Sequence, residues 1–284
     1  MKNTLRLDIL AREEDIDRIT GVLTLCVTFG WEEESLPTGE TRFRVHCDQP
    51  GFMRDLQSRI MGCAPEAQCL LEELEEQDWL AAWRQFFTPV CCGSRFVVLP
   101  PWLAQSPDFP GRTHLLIEPK SAFGTGHHAT TALCLKVLSD LLDQGRLLPG
   151  QSFLDLGTGS GVLGIACCKS GLAGLGLDID PLAVDNALEN RVLNAADGFE
   201  PSLGSMEAVV GRTFDLVVAN ILARPLIELA PAIAAACKAG GSLILSGLLE
   251  IQADGVEAAY QAQGLPVARR ARQGEWCALV WQQL

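Results

Sequence analysis

The stretch QSFLDLGTGSGVLGIACCKSGLAGLGLDIDPLAVDNALENRVLNAA, residues 151–196, restricts this chain more than any other part of it. SFLDL is an apolar strand that runs into a turn rich in glycine. VLGIACCKSG follows as a helix ending at Gly171, GLGLDID as a second strand, and a helix opened by Pro181 completes the unit. Two strands joined through a helix lie parallel, with the helix packed on the sheet. The pattern continues downstream. FDLVVANIL is a buried strand by composition, and PLIELAPAIAAACKAGG is a helix with Pro225 near its start and glycines at its stop. GSLILSGLL and EWCALVWQQL are further strands. From about residue 114 onward the chain therefore predicts an α/β fold with a parallel, doubly wound sheet.

The residues before it read differently. LRLDIL and TRFRVHC alternate as half-buried strands, while EEDIDRITGVLTLC and GFMRDLQSRIMG are helix-like. Residues 1–70 thus predict a small α+β domain with an antiparallel sheet and no catalytic constellation. In residues 71–90 the aromatics Trp79, Trp83, Phe86 and Phe87 fall at helical spacing beside an acidic face, as in a linking helix. CCGSRFVVLPPW is a strand closed by prolines. Residues 91–284 form the third part.

Charge narrows the partners. The formal net charge is −13: residues 1–86 hold 9 Lys/Arg against 17 Asp/Glu, and residues 87–284 hold 13 against 18. A broad nucleic-acid surface needs clustered Lys and Arg, so direct nucleic-acid binding is not expected, whereas a basic partner is favoured. No apolar run spans a bilayer and the N-terminus has no signal-peptide core, so the expectation is a cytoplasmic monomer with no membrane contact. Eleven cysteines contain no CxxC pair, which points to reduced, small buried side chains.

The glycine turn DLGTGSG follows a strand and precedes a helix, where a ligand approaches backbone that carries no Cβ. Gly159, Gly161 and Gly164 also match the dinucleotide fingerprint, so an NAD-dependent oxidoreductase competes. Three residues favour another ligand. Asp155, just before the loop, repels a pyrophosphate but attracts a cation, directly or through water. Asp178 ends the next strand, where a carboxylate accepts ribose hydroxyls; both readings share this feature. Asn220, at the end of VVAN, offers a carbonyl oxygen to an incoming amine. A ribose, an amino-acid tail and a sulfonium cation together describe S-adenosylmethionine.

The segments FGTGHHATTALCL, FLDLGTGSGVLGIA, GLDIDPLAVDNALEN, VVANILARPLIELAP and EWCALV resemble the ribosomal protein L11 methyltransferases (PrmA), as do EQDWLAAWRQFFTPV and the small leading domain. The resemblance implies a ferredoxin-like substrate-recognition domain, a linking helix and a seven-stranded class I methyltransferase domain. It implies methylation of lysine side chains and of the N-terminal amine of a basic large-subunit ribosomal protein, with S-adenosylmethionine as methyl donor. It also implies that Thr131, Gly157, Asp178 and Asn220 contact the cofactor. The chain departs from the family at FGTGHHATT, where FGTGTHPTT is usual. His127 replaces a threonine and Ala129 a proline, and His128 is the aligned histidine.

That segment then reads as a lid and edge of the pocket. Phe123 covers the ligand, Gly124 and Gly126 permit the bend, and Thr131 starts a helix with a free hydroxyl. Adjacent histidines do not converge on one ion, so no metal site is expected at His127 and His128. For catalysis Asn220 ranks before His128 as base, since methyl transfer to a neutral amine depends mainly on alignment and exclusion of water. Methylation of another protein, a small molecule or RNA stays open on this fold, as does a binding protein without activity.

Overall fold

The structure is a computed structural model that describes residues 4–27, 30–36, 38–47, 49–74, 87–106, 108–118 and 128–284. The chain divides into two compact units, Met1–Phe86 and Phe87–Leu284.

The first unit runs β1 (Thr4–Ala11), α1 (Ile16–Cys26), β2 (Glu32–Ser35), β3 (Thr41–Cys47), α2 (Pro50–Cys63) and β4 (Gln68–Leu74). The four strands form an antiparallel sheet in the order β2-β3-β1-β4, the ferredoxin-like arrangement. Alternation sorts its faces. Leu5, Leu7, Ile9, Phe43 and Val45 are buried against Ile19 and Leu23 of α1 and Met53, Leu56 and Ile60 of α2. The other face carries ion pairs such as Arg6–Glu72 (2.6 Å) and Arg44–Asp8 (2.8 Å). The sequence reading ends this domain at residue 70 and starts a helix there. Instead, residues 71–74 complete β4, because their pairing partner is β1, far away in sequence. The rest of the expected linking helix, residues 75–86, lies outside the described residues.

The second unit opens with a small sheet of β5 (Val90–Cys92), β6 (Phe96–Leu99) and β7 (Thr113–Leu116), so the strand expected in CCGSRFVVLPPW is a hairpin. After α3 (Ala129–Asp143) come β8 (Ser152–Leu156), α4 (Val162–Lys169), β9 (Ala173–Asp178), α5 (Pro181–Leu193), β10 (Phe199–Leu203) and β11 (Phe214–Asn220). They are followed by α6 (Ala223–Glu228), α7 (Ala230–Ala235), β12 (Cys237–Leu249), α8 (Glu250–Gln261), β13 (Arg269–Gln273) and β14 (Trp276–Gln282). The seven-stranded sheet has the order β10-β9-β8-β11-β12-β14-β13, and only β14 runs against its neighbours.

Consecutive core residues face opposite layers, which is why these strands are apolar throughout. Phe153, Val218 and Ile244 pack with α3 and α4, whereas Leu154, Val217 and Leu243 pack with α6, α7 and α8. The helix expected over residues 225–241 breaks in two at Leu229. Pro231 lacks the N–H that would bond to Ile227, so the ladder is interrupted. Gly240 and Gly241 fall inside β12, at the irregular register between Cys237 and Ser242, instead of ending a helix. The edge strand β10, FEPSL, escapes sequence reading because Pro201 is tolerated only at an edge and just one of its residues is buried. Among the described residues no helix is long and apolar enough to cross a membrane.

Candidate functional site

Strand register brings three of the expected residues together. Leu156 of β8 pairs with Leu177 of β9 and Ala219 of β11. One residue further along, Gly157, Asp178 and Asn220 stand at one level on adjacent strands, about 4.8 Å apart from strand to strand. All three lie at the carboxyl edge of the sheet, where open α/β folds bind ligands.

The glycine loop is shaped from beneath and from the side. Gly157, Gly159 and Gly161 have φ of +73°, +55° and +82°, backbone that other residues adopt only under strain. At Gly157 a Cβ would also stand 2.2 Å from Cγ2 of Ile221. Leu177 O accepts from the amides of Gly157 (2.8 Å) and Thr158 (3.0 Å). Asp178 Oδ2 accepts from Gly159 N at 2.8 Å, and its Oδ1 accepts from Asp180 N at 3.1 Å.

Asp155 is fully buried. Its Oδ2 accepts from Thr158 Oγ1 (2.6 Å) and Gly164 N (3.0 Å), so the carboxylate ties the loop to the first turn of α4. Burial pushes its pKa up to about 6. Asp155 Oδ1 has no hydrogen-bond partner among the described residues. The last two glycines of the fingerprint serve packing: a Cβ at Gly164 would lie 2.3 Å from the Phe199 ring, and one at Gly161 3.0 Å from it. The spacing that matches dinucleotide folds is thus accounted for by an aromatic ring on β10.

Asn220 meets α3. Its Nδ2 donates to Thr131 Oγ1 at 3.2 Å, and its Oδ1 is buried without a partner among the described residues. Thr131 is corrected on two points. The helix starts at Ala129, and the Thr131 hydroxyl, on a residue only 1% exposed, is engaged with Asn220 rather than free. His128 is the N-cap of α3: Nδ1 accepts from Thr130 N (3.4 Å) and lies 2.8 Å from Thr130 Oγ1. Its ring meets Trp276 edge-on at 4.7 Å. Phe123, Gly124, Gly126 and His127 lie outside the described residues. Among the described residues no group of three or more His, Cys, Asp or Glu could hold a metal, and the eleven cysteines are unpaired with one another.

The sequence reading misses an asparagine ladder on α5. Asn190 Nδ2 donates to Ser160 O of the glycine loop (2.8 Å), while its Oδ1 accepts from Glu118 N (2.9 Å). Asn194 bonds both the N–H (2.9 Å) and the carbonyl (2.7 Å) of Leu116. The spacing of Asn186, Asn190 and Asn194, four residues apart on one helix face, is the signal that was available. Two exposed apolar residues also flank the strand ends: Ile179 follows Asp178, and Leu203 pairs with it.

The polar groups here are acceptors: the Asp178 carboxylate and the buried Oδ1 atoms of Asp155 and Asn220, which have no partner among the described residues. Gly157, Asp155, Asp178, Asn220 and Thr131 bring no positive charge with them. Hydroxyls and a cation suit such a site, and a pyrophosphate does not.

Comparison with known proteins agrees. The family described as "Ribosomal protein L11 methyltransferase (PrmA)" matches residues 33–283. A ribosomal protein L11 methyltransferase of Myxococcus xanthus is 42% identical over 240 residues, 84% of this chain and 80% of that protein. One from Chloroflexus aurantiacus is 41% identical over 233 residues, 73% of this chain and 69% of that protein. Among solved structures, a ribosomal protein L11 methylase from Lactobacillus delbrueckii subsp. bulgaricus superposes with a TM-score of 0.61 at 29% identity, covering 70% of this chain and all of that one.

Proposed function

The chain belongs to the ribosomal protein L11 methyltransferase family, and from that premise we propose that it transfers methyl groups from S-adenosylmethionine to lysine side chains and the N-terminal amine of ribosomal protein L11. The observation that carries this reading is the buried Oδ1 of Asn220, without a partner among the described residues, at the same strand level as Gly157 and Asp178. Membership displaces the NAD-dependent alternative that the glycine spacing allowed.

Bound S-adenosylmethionine supplies a methyl group on a cationic sulfur, open to in-line attack by a neutral amine. Asp178 would hold the ribose hydroxyls, and the exposed Ile179 and Leu203 would offer apolar contact to the base. Gly157 lets backbone approach the cofactor closely. Asp155 acts as a positioning residue, because its bonded oxygen holds Thr158 and Gly164 in place.

Asn220 is the catalytic residue. Thr131 takes its Nδ2, which leaves the buried Oδ1, without a partner among the described residues, as an acceptor at the carboxyl edge of the sheet. There it accepts an N–H of the amine and aims the nitrogen lone pair, and alignment of this kind is a large share of what such a transfer needs. Withdrawal from water lowers the pKa of a lysine and so favours its neutral form. His128 is assigned to orientation rather than proton transfer, since its Nδ1 already serves the first turn of α3.

Residues 1–86 recognise the substrate, and the net charge of −13 steers a basic protein toward the enzyme. The protein works as a cytoplasmic monomer. The test is incubation with purified L11 and isotopically labelled S-adenosylmethionine, followed by tandem mass spectrometry. Labelled lysines or N-terminus are expected. Cofactor binding with no label on L11 or any other protein would mean a binding module instead.

A further inference from the structure

We propose that the groove between α6 and α8 seats the stretch of substrate polypeptide that flanks the accepting amine. This rests on the protein-methyltransferase reading above and adds where the substrate's main chain runs. The groove has a volume of about 440 Å³ and is lined by Ala223, Arg224, Ile227 and Glu228 of α6 and by Ile251 and Gly255 of α8. Of the lining residues Ile251 is 88% exposed and Ile227 42%. Single exposed apolar side chains are ordinary on a protein surface, but several gathered around one depression mark a binding surface. Over Gly255 an added Cβ would meet nothing within 4 Å, so this part of the groove lies open.

Covalent geometry selects the occupant. A lysine side chain reaches roughly 6 Å from Cα to its nitrogen, so a substrate whose amine arrives at Asn220 must run its main chain close to that strand end. Ala223, the first residue of α6, is three residues past Asn220 and hence at most about 11 Å away. β12, the neighbour of β11, leads straight into α8 at Glu250. Both walls of the groove therefore begin at the carboxyl edge of the sheet, where Asn220 also lies. Its chemistry fits a segment that mixes apolar and basic residues. Ile227 and Ile251 offer apolar contact. Among the described residues the Glu228 carboxylate has one ion pair, an exposed one with Arg224 (2.7 Å), which exchanges partners at little cost.

The test uses the full chain with two neutral substitutions. Ile251→Asn removes apolar surface from a side chain that packs on little else. Gly255→Leu fills the groove and favours the helix it sits in, so folding is not at risk. Val192→Asn, on the exposed side of α5, is the control. The KM for L11 is expected to rise about tenfold in both groove variants, the step that loss of one substantial contact produces. Affinity for S-adenosylhomocysteine, kcat at saturating L11 and the control should be unchanged. A wild-type KM in both groove variants, beside an active wild-type enzyme, overturns the groove and leaves the function standing. Wild-type enzyme that binds cofactor yet never modifies L11 overturns the function and the groove with it. A concentration-dependent dimer, seen by sedimentation and lost in Ile251→Asn, assigns the face to a second copy of this chain and overturns the proposal.

Discussion

Replacing Thr131 by valine puts the proposed orientation of Asn220 to a quantitative test. Valine has nearly the shape of threonine and a similar helix propensity, so α3 is left intact. What disappears is the one acceptor described for Asn220 Nδ2, at 3.2 Å, on a residue only 1% exposed. A bond between neutral groups contributes about 0.5–1.5 kcal/mol net, and a buried donor left unpaired costs about 1–3 kcal/mol. If about 1–2 kcal/mol of this falls in the transition state, turnover drops by about 5- to 30-fold. The assay is single-turnover methylation of L11 at saturating cofactor, beside calorimetric titration with S-adenosylhomocysteine. Affinity should stay within about threefold of wild type, a difference of less than 1 kcal/mol, and Thr131→Ser should restore the rate by returning the hydroxyl. Wild-type turnover in Thr131→Val refutes the reasoning. A loss confined to affinity puts the hydroxyl on the cofactor, as the family resemblance implied, and removes its orienting role.

Asp155 makes stability depend on pH. Its pKa is raised in the folded protein from 3.8 to about 6, so the folded state holds the proton more tightly than the unfolded chain does. The contribution is favourable below about pH 4 and is lost as pH rises through about 6, by at most about 3 kcal/mol. Urea unfolding of Asp155→Asn, which cannot ionise, should therefore gain on wild type over that interval, and parallel pH profiles would falsify the assignment. Asp178→Ala removes the carboxylate that also holds Gly159 N, and cofactor affinity should fall by roughly 1.5–3 kcal/mol in calorimetry; unchanged affinity means that the ribose lies elsewhere. Deleting residues 1–86 leaves the second unit with both of its own hydrophobic cores. Cofactor binding should survive while L11 methylation is lost, and full activity on L11 would remove the recognition role.

Much of the candidate site was legible because its residues sit where chain direction changes. DLGTGSG, the Asp178 strand end and the Asn220 strand end each carry a polar residue or glycine immediately after an apolar run, and βα repetition places such points on one sheet edge. What each polar atom touches was not legible. Asp155 read as a ligand for a cation, yet one of its oxygens is occupied by Thr158 and Gly164. The fingerprint glycines read as room for a nucleotide, yet Gly161 and Gly164 make room for Phe199, from a strand that the sequence did not announce.

The sequence by itself determined the layer order, the carboxyl-edge position of Gly157, Asp178 and Asn220, and the acidic character of the whole. These follow from local periodicity and composition, which a chain carries before it folds. Tertiary structure alone decided that β4 belongs to the first sheet and that the Asn220 amide donates to Thr131. It also decided that Asn190 joins the glycine loop to Glu118. Each of these depends on a partner distant in sequence. Pairing over such separations is selected by the total burial and hydrogen bonding of the folded chain, which no local window of residues encodes.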